Sequence, residues 1–160
     1  MAEIYRRNAG VVVFNHDRKV LLCRRCDVAD AWQFPQGGIE ADETPAQAAL
    51  RELKEETSLA NVRLVKTLET PVRYKFPSAV QRAMKARGFK NVGQEMYWSL
   101  CYFDGSDDAI DLKTAEPEFD AFRWGNLAEA QALIVDFKKE AYAVAVKAFQ
   151  PLIDAFDCDN

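Results

Sequence analysis

Apolar segments separated by turn-forming residues predict strands in the first half of the chain. Residues 8–14 and 19–25 are strongly apolar and flank a polar tetrapeptide, 15–18, so they predict two strands joined by a turn. Three further segments have strand-like composition: 61–69, 95–103 and 119–124. Within 95–103, large apolar residues occupy every second position, which is typical of a strand buried on one face.

The clearest helical pattern covers residues 44–57. Thr44 suits the N-cap, Pro45 suits the first helical position, and strong helix formers fill the remainder. Residues 126–133 and 137–156 predict two more helices, whereas 32–38 has the composition of a loop. Strands and helices mixed in this order favour an α/β sandwich over a doubly wound sheet. We expect a single domain over 1–160.

Composition limits the class of protein. With 160 residues, 49% of them hydrophobic, the chain can bury a core without disulfides or a structural metal. No apolar run approaches the ~18 residues of a membrane-spanning helix, and the first ten residues lack the apolar core of a signal peptide. The sequence therefore predicts a soluble, cytoplasmic protein.

The charged residues are unevenly distributed. The net charge of −4 argues against broad electrostatic binding of nucleic acid. Residues 40–56 nevertheless contain six acids, and residues 71–94, the basic stretch, contain six Lys or Arg and no Asp or Glu. This pairing favours a site that holds cations beside a polyanion. A solvated loop is the alternative interpretation of the basic stretch.

Cysteine and histidine offer little chemistry. Cys23 and Cys26 form a CxxC pair, but no second pair lies at a spacing typical of zinc sites, and His16 is the single histidine. Buried or incidental thiols are the favoured interpretation, and a His-based triad is disfavoured. The reactive groups must then be carboxylates.

Three carboxylates share one face of the predicted helix. Glu52, Glu55 and Glu56 stand at i, i+3 and i+4, where like charges repel one another. A hard divalent cation would relieve that repulsion, and oxygen ligands without histidine indicate Mg²⁺, with Mn²⁺ as a substitute. Taken alone, such a triplet is also compatible with an ordinary solvated helix face.

The surrounding residues remove much of that ambiguity. The pattern G-x5-E-x7-R-E-L-x-E-E, from Gly37 through Glu43 and Arg51 to Glu56, resembles the signature of the Nudix hydrolases. The resemblance implies a Nudix fold, an α/β/α sandwich with a mixed β-sheet, in which residues 37–59 form a loop–helix–loop box. One position departs from the pattern: Ser58 replaces the usual glycine at the end of the helix, where glycine adopts a left-handed conformation without steric cost.

The resemblance also implies roles for the box residues. Glu52, Glu55 and Glu56 would bind Mg²⁺, and Glu56 is our choice for the general base, although family members differ on this. Gly37, Glu43 and Arg51 would be structural, the last two bracing the loop against the helix. The reaction would be hydrolysis of a phosphoanhydride bond in a nucleoside diphosphate linked to another group, with cations neutralising the phosphate oxygens and acidifying the attacking water.

Matches outside the box resemble one subgroup, the bacterial RNA pyrophosphohydrolases and related dinucleoside polyphosphate hydrolases. The matching segments are 5–10, 32–38, 93–94 with Trp98, 117–124 and 135–138. By this likeness Glu118 would be a further catalytic carboxylate that approaches the metal. Substrate would be bound by Arg6, Arg25, Gln94, Val135, Phe137 and Lys138, the first three and Lys138 at phosphates or first nucleotides, and Val135 with Phe137 at a base.

These residues have alternative interpretations. Arg6 and Arg25 could be solvated charges at strand edges, Gln94 could simply begin a strand, and Lys138 could pair with neighbouring acids. Phe137 could belong to the core of the last helix, which is the commoner role of an aromatic residue at helical spacing.

The resulting hypothesis is a Mg²⁺-dependent enzyme that removes pyrophosphate or phosphate from the 5′-triphosphate or diphosphate end of RNA, as in messenger-RNA decay, and leaves a 5′-monophosphate. The basic stretch, with its interleaved aromatic residues, would guide the strand. The alternative is hydrolysis of dinucleoside polyphosphates such as diadenosine tetraphosphate. Sanitation of nucleoside triphosphates and a non-catalytic Nudix-like sensor are two more distant hypotheses. The sequence predicts no membrane partner and no particular protein partner.

Overall fold

A mixed β-sheet forms the centre of the molecule. The computed structural model describes residues 2–159. Its strands are β1 (Tyr5–Phe14), β2 (Val20–Arg25), β3 (Trp32–Gln33), β4 (Gln36–Gly38), β5 (Arg63–Thr67), β6 (Val72–Lys75), β7 (Gly93–Tyr102) and β8 (Phe119–Gly125). Its helices are α1 (Pro45–Thr57), α2 (Ser78–Ala86), α3 (Leu127–Leu133) and α4 (Lys139–Ala155), with 3₁₀ turns at Asp107–Ala109 and Asp136–Lys138. Within residues 2–159, no helix has the length and apolar content needed to cross a bilayer.

The two longest strands lie side by side in the sheet. β1 and β7 pair in parallel over ten residues each, from Tyr5 opposite Gly93 to Phe14 opposite Tyr102. All other strand pairs in the described part of the chain are antiparallel: β2 and β4 pair with β1, β5 and β6 with β7, and β3 and β8 with β2. The first residues of β1 therefore lie beside the first residues of β7 and the last residues of β4. This corner of the sheet holds the site described below.

Helices cover both faces of the sheet. Val11 and Val13 of β1 belong to one core with Leu53 of α1, whereas Val12 and Phe14 belong to a second core with α4 residues such as Phe149. Because successive side chains of a strand point to opposite faces, a strand between two helical layers must be apolar throughout. The arrangement confirms the predicted α/β/α sandwich with a mixed sheet.

The alternation seen in β7 gave a wrong expectation of one-sided burial. Trp98, Leu100 and Tyr102 pack in the α4-side core, but Cys101 is equally buried in the α1-side core, and Ser99 between them has no exposed surface. Cys101 packs as a small apolar residue, and the Ser99 hydroxyl is hydrogen-bonded to that of Thr67 at 2.9 Å, so the polarity of these two residues does not report exposure.

Two segments contain elements that the sequence did not predict. Residues 32–38 form β3 and β4 rather than a loop, because their backbone groups pair with Cys23 and Arg24 of β2 and with 8–10 of β1. The basic stretch contains β6 and α2. β6 forms because it can pair with β7, which buries Tyr74, while α2 packs Val80 and Met84 against the core. Both depend on partners distant in sequence.

Local capping fixes the ends of α1. The Thr44 hydroxyl accepts a hydrogen bond from the backbone of Gln47, and the Gln47 side chain accepts one from the backbone of Thr44, which is a capping box. At the other end Ser58 adopts a left-handed conformation, with φ 70°, and its N–H donates to the Lys54 carbonyl. The Ser58 hydroxyl donates to the Asp111 carbonyl at 2.8 Å. Serine therefore takes the backbone conformation for which glycine is usual, with a hydrogen bond that offsets part of the strain.

We expect Ser58→Val to lower the free energy of unfolding by about 2 kcal/mol, because a β-branched residue is poorly tolerated in the left-handed region. Ser58→Gly should change it by less than ~1 kcal/mol, since relief of backbone strain offsets the lost hydroxyl bond. Urea unfolding of the two variants and the wild type measures both values. Equal losses in the two variants would show that the hydrogen bond, rather than the backbone, sets the stability at this position.

Candidate active site

A cleft of about 400 Å³ lies beside α1 and collects side chains from distant parts of the chain. Its carboxylates are Glu52, Glu56 and Glu118, and its cations are Arg6, Arg25 and Lys138. Apolar side chains line it as well, namely Tyr74, Phe76, Val80, Met84 and Phe137, together with the amides of Asn8, Gln33, Gln36 and Gln94. Acidic, cationic and apolar groups thus share one small space.

A second groove, the carboxylate groove, adjoins the cleft along α1. It contains all four carboxylates predicted to bind metal, Glu52, Glu55, Glu56 and Glu118, as well as Glu116. Glu52, Glu56 and Glu118 line both spaces, whereas Glu55 lines only the groove and its side chain is 58% exposed. The i, i+3, i+4 spacing therefore places the three helical carboxylates along one groove, and the loop before β8 adds the fourth.

Glu56 is a buried carboxyl without a cationic partner. The residue is 6% exposed, and it forms no ion pair with any Lys or Arg among residues 2–159. Burial, followed by the nearby charges of Glu52 and Glu118, holds the pKa of Glu56 far above its usual range, although a backbone hydrogen bond from Gln36 opposes the shift. Positive charge brought close to Glu56 would favour its ionised form.

Arg51 connects the loop of the box to the helix. Its guanidinium binds Glu43 through two hydrogen bonds, of 2.6 and 2.8 Å, and donates to the Gly38 carbonyl at 2.9 Å. It also donates to Glu52 at 2.8 Å and to Glu55 at 3.3 Å. The hydrogen bonds from Arg51 hold the pKa of Glu43 well below its usual range. The geometry therefore ties the loop, the helix and two of the groove carboxylates to a single side chain.

The donor groups in the carboxylate groove suit a hard divalent cation. The predicted ligands, Glu52, Glu55, Glu56 and Glu118, offer carboxylate oxygens, which Mg²⁺ and Mn²⁺ prefer. Within the described residues they do not converge as a preformed set of three ligands, and Glu52 and Glu55 direct oxygens toward Arg51. The unpaired, buried Glu56 is nevertheless the kind of group that a cation would compensate, so the residues fit such an ion.

Gly37 leaves the space that the Glu52 carboxylate occupies. A Cβ atom at position 37 would lie 1.9 Å from Cδ of Glu52. A Cβ at Gly38 would likewise lie 2.3 Å from Nη2 of Arg6. Neither glycine has a positive φ, so the backbone conformation does not require glycine here. Glycine is required because the side chains of Glu52 and Arg6 approach the backbone so closely.

The three cations of the cleft differ in their surroundings. Arg25 is held by two hydrogen bonds to Asp27, of 2.7 and 2.9 Å. Arg6 and Lys138 form no ion pair with a carboxylate among residues 2–159. Burial, reinforced by the charge of Arg25, lowers the pKa of Lys138 to about 8. Two of the cations are therefore available to an anionic ligand.

Aromatic side chains form the apolar part of the cleft. The rings of Tyr74 and Phe76 lie 5.9 and 6.1 Å from that of Phe137, which is partly buried against the α4-side core. The Tyr74 hydroxyl donates to Oε1 of Gln94, which leaves the Nε2 group of Gln94 as a donor. Phe137 thus packs against the core and also lines the cleft, and its stacking on a base stays a prediction.

Not every residue predicted to bind substrate lies in the cleft. Val135 is 46% exposed and does not line it, so its contact with a base stays a prediction. Conversely, no role was assigned to the cleft residues Asn8 and Gln33. Asn8 is 2% exposed, and its Oδ1 has no hydrogen-bond partner among residues 2–159. A polar residue directly before an apolar run is the sequence signal that could have pointed to it.

Comparisons with known proteins agree on the family. The sequence pattern described as "NUDIX domain" matches residues 4–145. An RNA pyrophosphohydrolase from Caulobacter vibrioides is 45% identical over 150 residues, covering 91% of this chain and 86% of that protein. One from Erythrobacter litoralis is 42% identical over 156 residues and covers 93% of each chain.

Solved structures share the fold. The dihydroneopterin triphosphate pyrophosphohydrolase of E. coli matches with a TM-score of 0.66 and 24% identity, over 91% of this chain and 99% of that one. A C. elegans Ap4A hydrolase matches with a TM-score of 0.65 and 18% identity, over 93% and 99% of the two chains. The sequence match over most of the chain, together with this fold and the carboxylates along α1, shows that the chain belongs to the Nudix hydrolase family.

Proposed function

We propose that this protein is an RNA pyrophosphohydrolase, which converts the 5′-triphosphate or 5′-diphosphate end of RNA to a 5′-monophosphate. The observation that carries the proposal is the cleft itself, where carboxylates, unpaired cations and aromatic side chains adjoin one another. A 5′-phosphorylated end presents a polyphosphate next to a base, and the lining offers groups for each. The RNA pyrophosphohydrolases at 42–45% identity support the same substrate.

The carboxylates along α1 provide the reactive part of the proposed site. Glu52, Glu55, Glu56 and Glu118 would hold divalent cations, Mg²⁺ in our proposal, which neutralise phosphate oxygens and favour ionisation of the attacking water. With bound cations favouring its ionised form, Glu56 would take the proton from that water, because it lies at the boundary of groove and cleft. Attack on phosphorus breaks a P–O–P bond, releases pyrophosphate or phosphate, and leaves the RNA with a 5′-monophosphate.

The remaining cleft residues bind and orient the 5′ end. Arg6 and Lys138 contact phosphate oxygens, since neither has a carboxylate partner in residues 2–159. Gln94 donates from its free Nε2 group, and Arg25 keeps its orientation through Asp27. Phe137 stacks on a base, an interaction that contributes ~1–3 kcal/mol and tolerates different bases.

A competition assay in Mg²⁺ tests the proposal. The protein is offered 5′-triphosphorylated RNA and diadenosine tetraphosphate together, and release of phosphate, pyrophosphate and nucleotides is followed. We expect the RNA to be consumed about tenfold faster or more, because it alone continues past the first nucleotides. Preference for the dinucleotide would instead favour the dinucleoside polyphosphate hydrolase hypothesis, and turnover of neither would reject both.

A further inference from the structure

A third cavity lies on the side of α2 opposite the cleft. Val80 and Met84, one helical turn apart, line the cleft, whereas Arg82 and Lys85 line a groove of about 830 Å³. This basic groove is closed by the N-terminal segment around Ile4 and by residues 89–92, and the backbone N–H of Val92 donates to the Ile4 carbonyl. α2 is therefore a shared wall between the cleft and the basic groove.

The positive charge of the basic stretch is concentrated at this groove. In β6, Arg73 binds Glu95 at 3.0 Å and Lys75 binds Glu3 at 2.5 Å, so these two cations are neutralised. Four cations in the second half of the stretch are exposed and pair with no carboxylate within residues 2–159: Arg82, Lys85, Arg87 and Lys90. Among the described residues, one acid lines the basic groove, Glu3, and it is already bound by Lys75.

An exposed aromatic ring accompanies these charges. Phe89 lines the basic groove and is 37% exposed, and the guanidinium of Arg87 lies 5.5 Å from its ring centroid. The other aromatic residues of the stretch, Tyr74 and Phe76, are buried and line the cleft instead. Unpaired cations beside an exposed aromatic face are what sequence-tolerant sites for single-stranded nucleic acid use, the cations for phosphates and the ring for bases.

We infer that the basic groove binds the RNA chain downstream of the nucleotides held in the cleft. The inference rests on the proposed function, because it needs an RNA substrate whose 5′ end occupies the cleft. The two sites are neighbours: α2 forms a wall of each, and Gln94 lines the cleft while Val92, two residues earlier on the same segment, lines the basic groove. A chain with net charge −4 would in this way hold RNA at one local surface without binding it generally.

The test compares turnover of 5′-triphosphorylated RNAs of about 2, 4, 8 and 16 nucleotides at low salt. For the wild type we expect kcat/KM to increase with length by about tenfold and to fall steeply with salt. The triple variant Arg82→Gln, Lys85→Gln, Lys90→Gln should turn over the shortest RNA as the wild type does and lose the increase with length. For the longest RNA, the slope of log kcat/KM against log salt concentration should become shallower by about 2 in this variant, at ~0.7 for each lost phosphate contact.

A control variant carries the same change of net charge elsewhere. Lys19, Lys66 and Lys147 are exposed and line neither the cleft nor the basic groove, so their replacement by Gln should preserve the length dependence. Length dependence that is absent in the wild type, or equally reduced in both variants, would overturn the inference. Failure of the wild type to hydrolyse RNA of any length would instead reject the proposed function.

Discussion

Glu56→Gln is expected to reduce kcat by about a thousandfold or more while the protein remains folded. General-base catalysis contributes ~10²–10⁴-fold, and loss of a charged oxygen also weakens cation binding. The amide matches the carboxyl in size, and Glu56 is buried at the end of α1, so the fold has no reason to change. Steady-state kinetics on triphosphorylated RNA in Mg²⁺ measures the effect.

Glu116→Gln is the matched control for this variant. Glu116 lines the same carboxylate groove but is exposed, and we assign it no role. Its replacement removes one negative charge from the groove, as Glu56→Gln does once bound cations have ionised Glu56, and should change kcat by less than about twofold. Comparable losses of kcat in the two variants would mean that the summed negative charge of the groove, rather than Glu56 itself, supports the reaction.

Glu56→Gln should also stabilise the cation-free protein above neutral pH. The pKa of Glu56 is raised in the folded state, so the folded state binds the proton more tightly than the unfolded state does. Tighter proton binding adds to the free energy of unfolding in full below the pKa of Glu56 in the unfolded state, near 4.5. This contribution is lost as pH rises toward the pKa of Glu56 in the folded state. At pH ~8 in EDTA, Glu56→Gln should exceed the wild type in free energy of unfolding by about 2 kcal/mol or more, since the folded wild type must either hold a proton that is scarce at this pH or bury an unpaired charge.

Thermal unfolding across pH checks this expectation. The difference between the two proteins should vanish near pH ~4, where Glu56 is protonated in both states. Added Mg²⁺ should raise the midpoint of the wild type more than that of the variant, because only the folded wild type offers the full set of carboxylates. Parallel pH curves for the two proteins in EDTA would contradict the assigned burial of an unpaired carboxyl.

Gly37→Ala is the second change expected to have a large effect. The new Cβ would occupy the position of the Glu52 carboxylate, 1.9 Å from its Cδ, so that side chain must move. A displacement of about 1 Å in a reacting group can cost ~10²-fold in rate, and we expect kcat to fall by at least that factor. The midpoint of thermal unfolding should change little, because the displaced atoms are the end of a flexible side chain in a cleft.

The neighbouring glycine provides the comparison for Gly37. At Gly38 an added Cβ would displace Arg6 rather than Glu52. Gly38→Ala should therefore act chiefly on KM for RNA, whereas Gly37→Ala should act on kcat. If Gly37→Ala retained wild-type kcat, the position of the Glu52 carboxylate would be irrelevant to the reaction.

The box helix could be predicted from the sequence because its determinants are local. Thr44 and Pro45 define its start through contacts within one turn, and the i, i+3, i+4 spacing places its carboxylates on one side whatever the rest of the molecule does. The buried central strand β1 was also predictable, since a strand covered on both faces must be apolar. Resemblance to the Nudix family then supplied the expected fold, which the structure and the comparisons confirm.

Other features depended on contacts between distant segments. Residues 32–38 and Val72–Lys75 are too short to form strands alone, and they do so only because β1, β2 and β7 offer unpaired backbone groups. The basic stretch is uniform in sequence, yet pairing with Glu3 and Glu95 neutralises its first half and leaves α2 charged. Composition cannot reveal which partner a charge will meet.

The sequence by itself therefore determined the central apolar strand, the capped box helix and the carboxylates that helix carries, because each follows from interactions over a few residues. Only the tertiary structure decided which groups meet those carboxylates. Glu118, Lys138 and Tyr74 reach one cleft from three separate segments, and the buried position of Glu56 without a cation depends on that packing. Burial and non-local contact set the charge of a group, and neither is encoded in the residue's immediate neighbours.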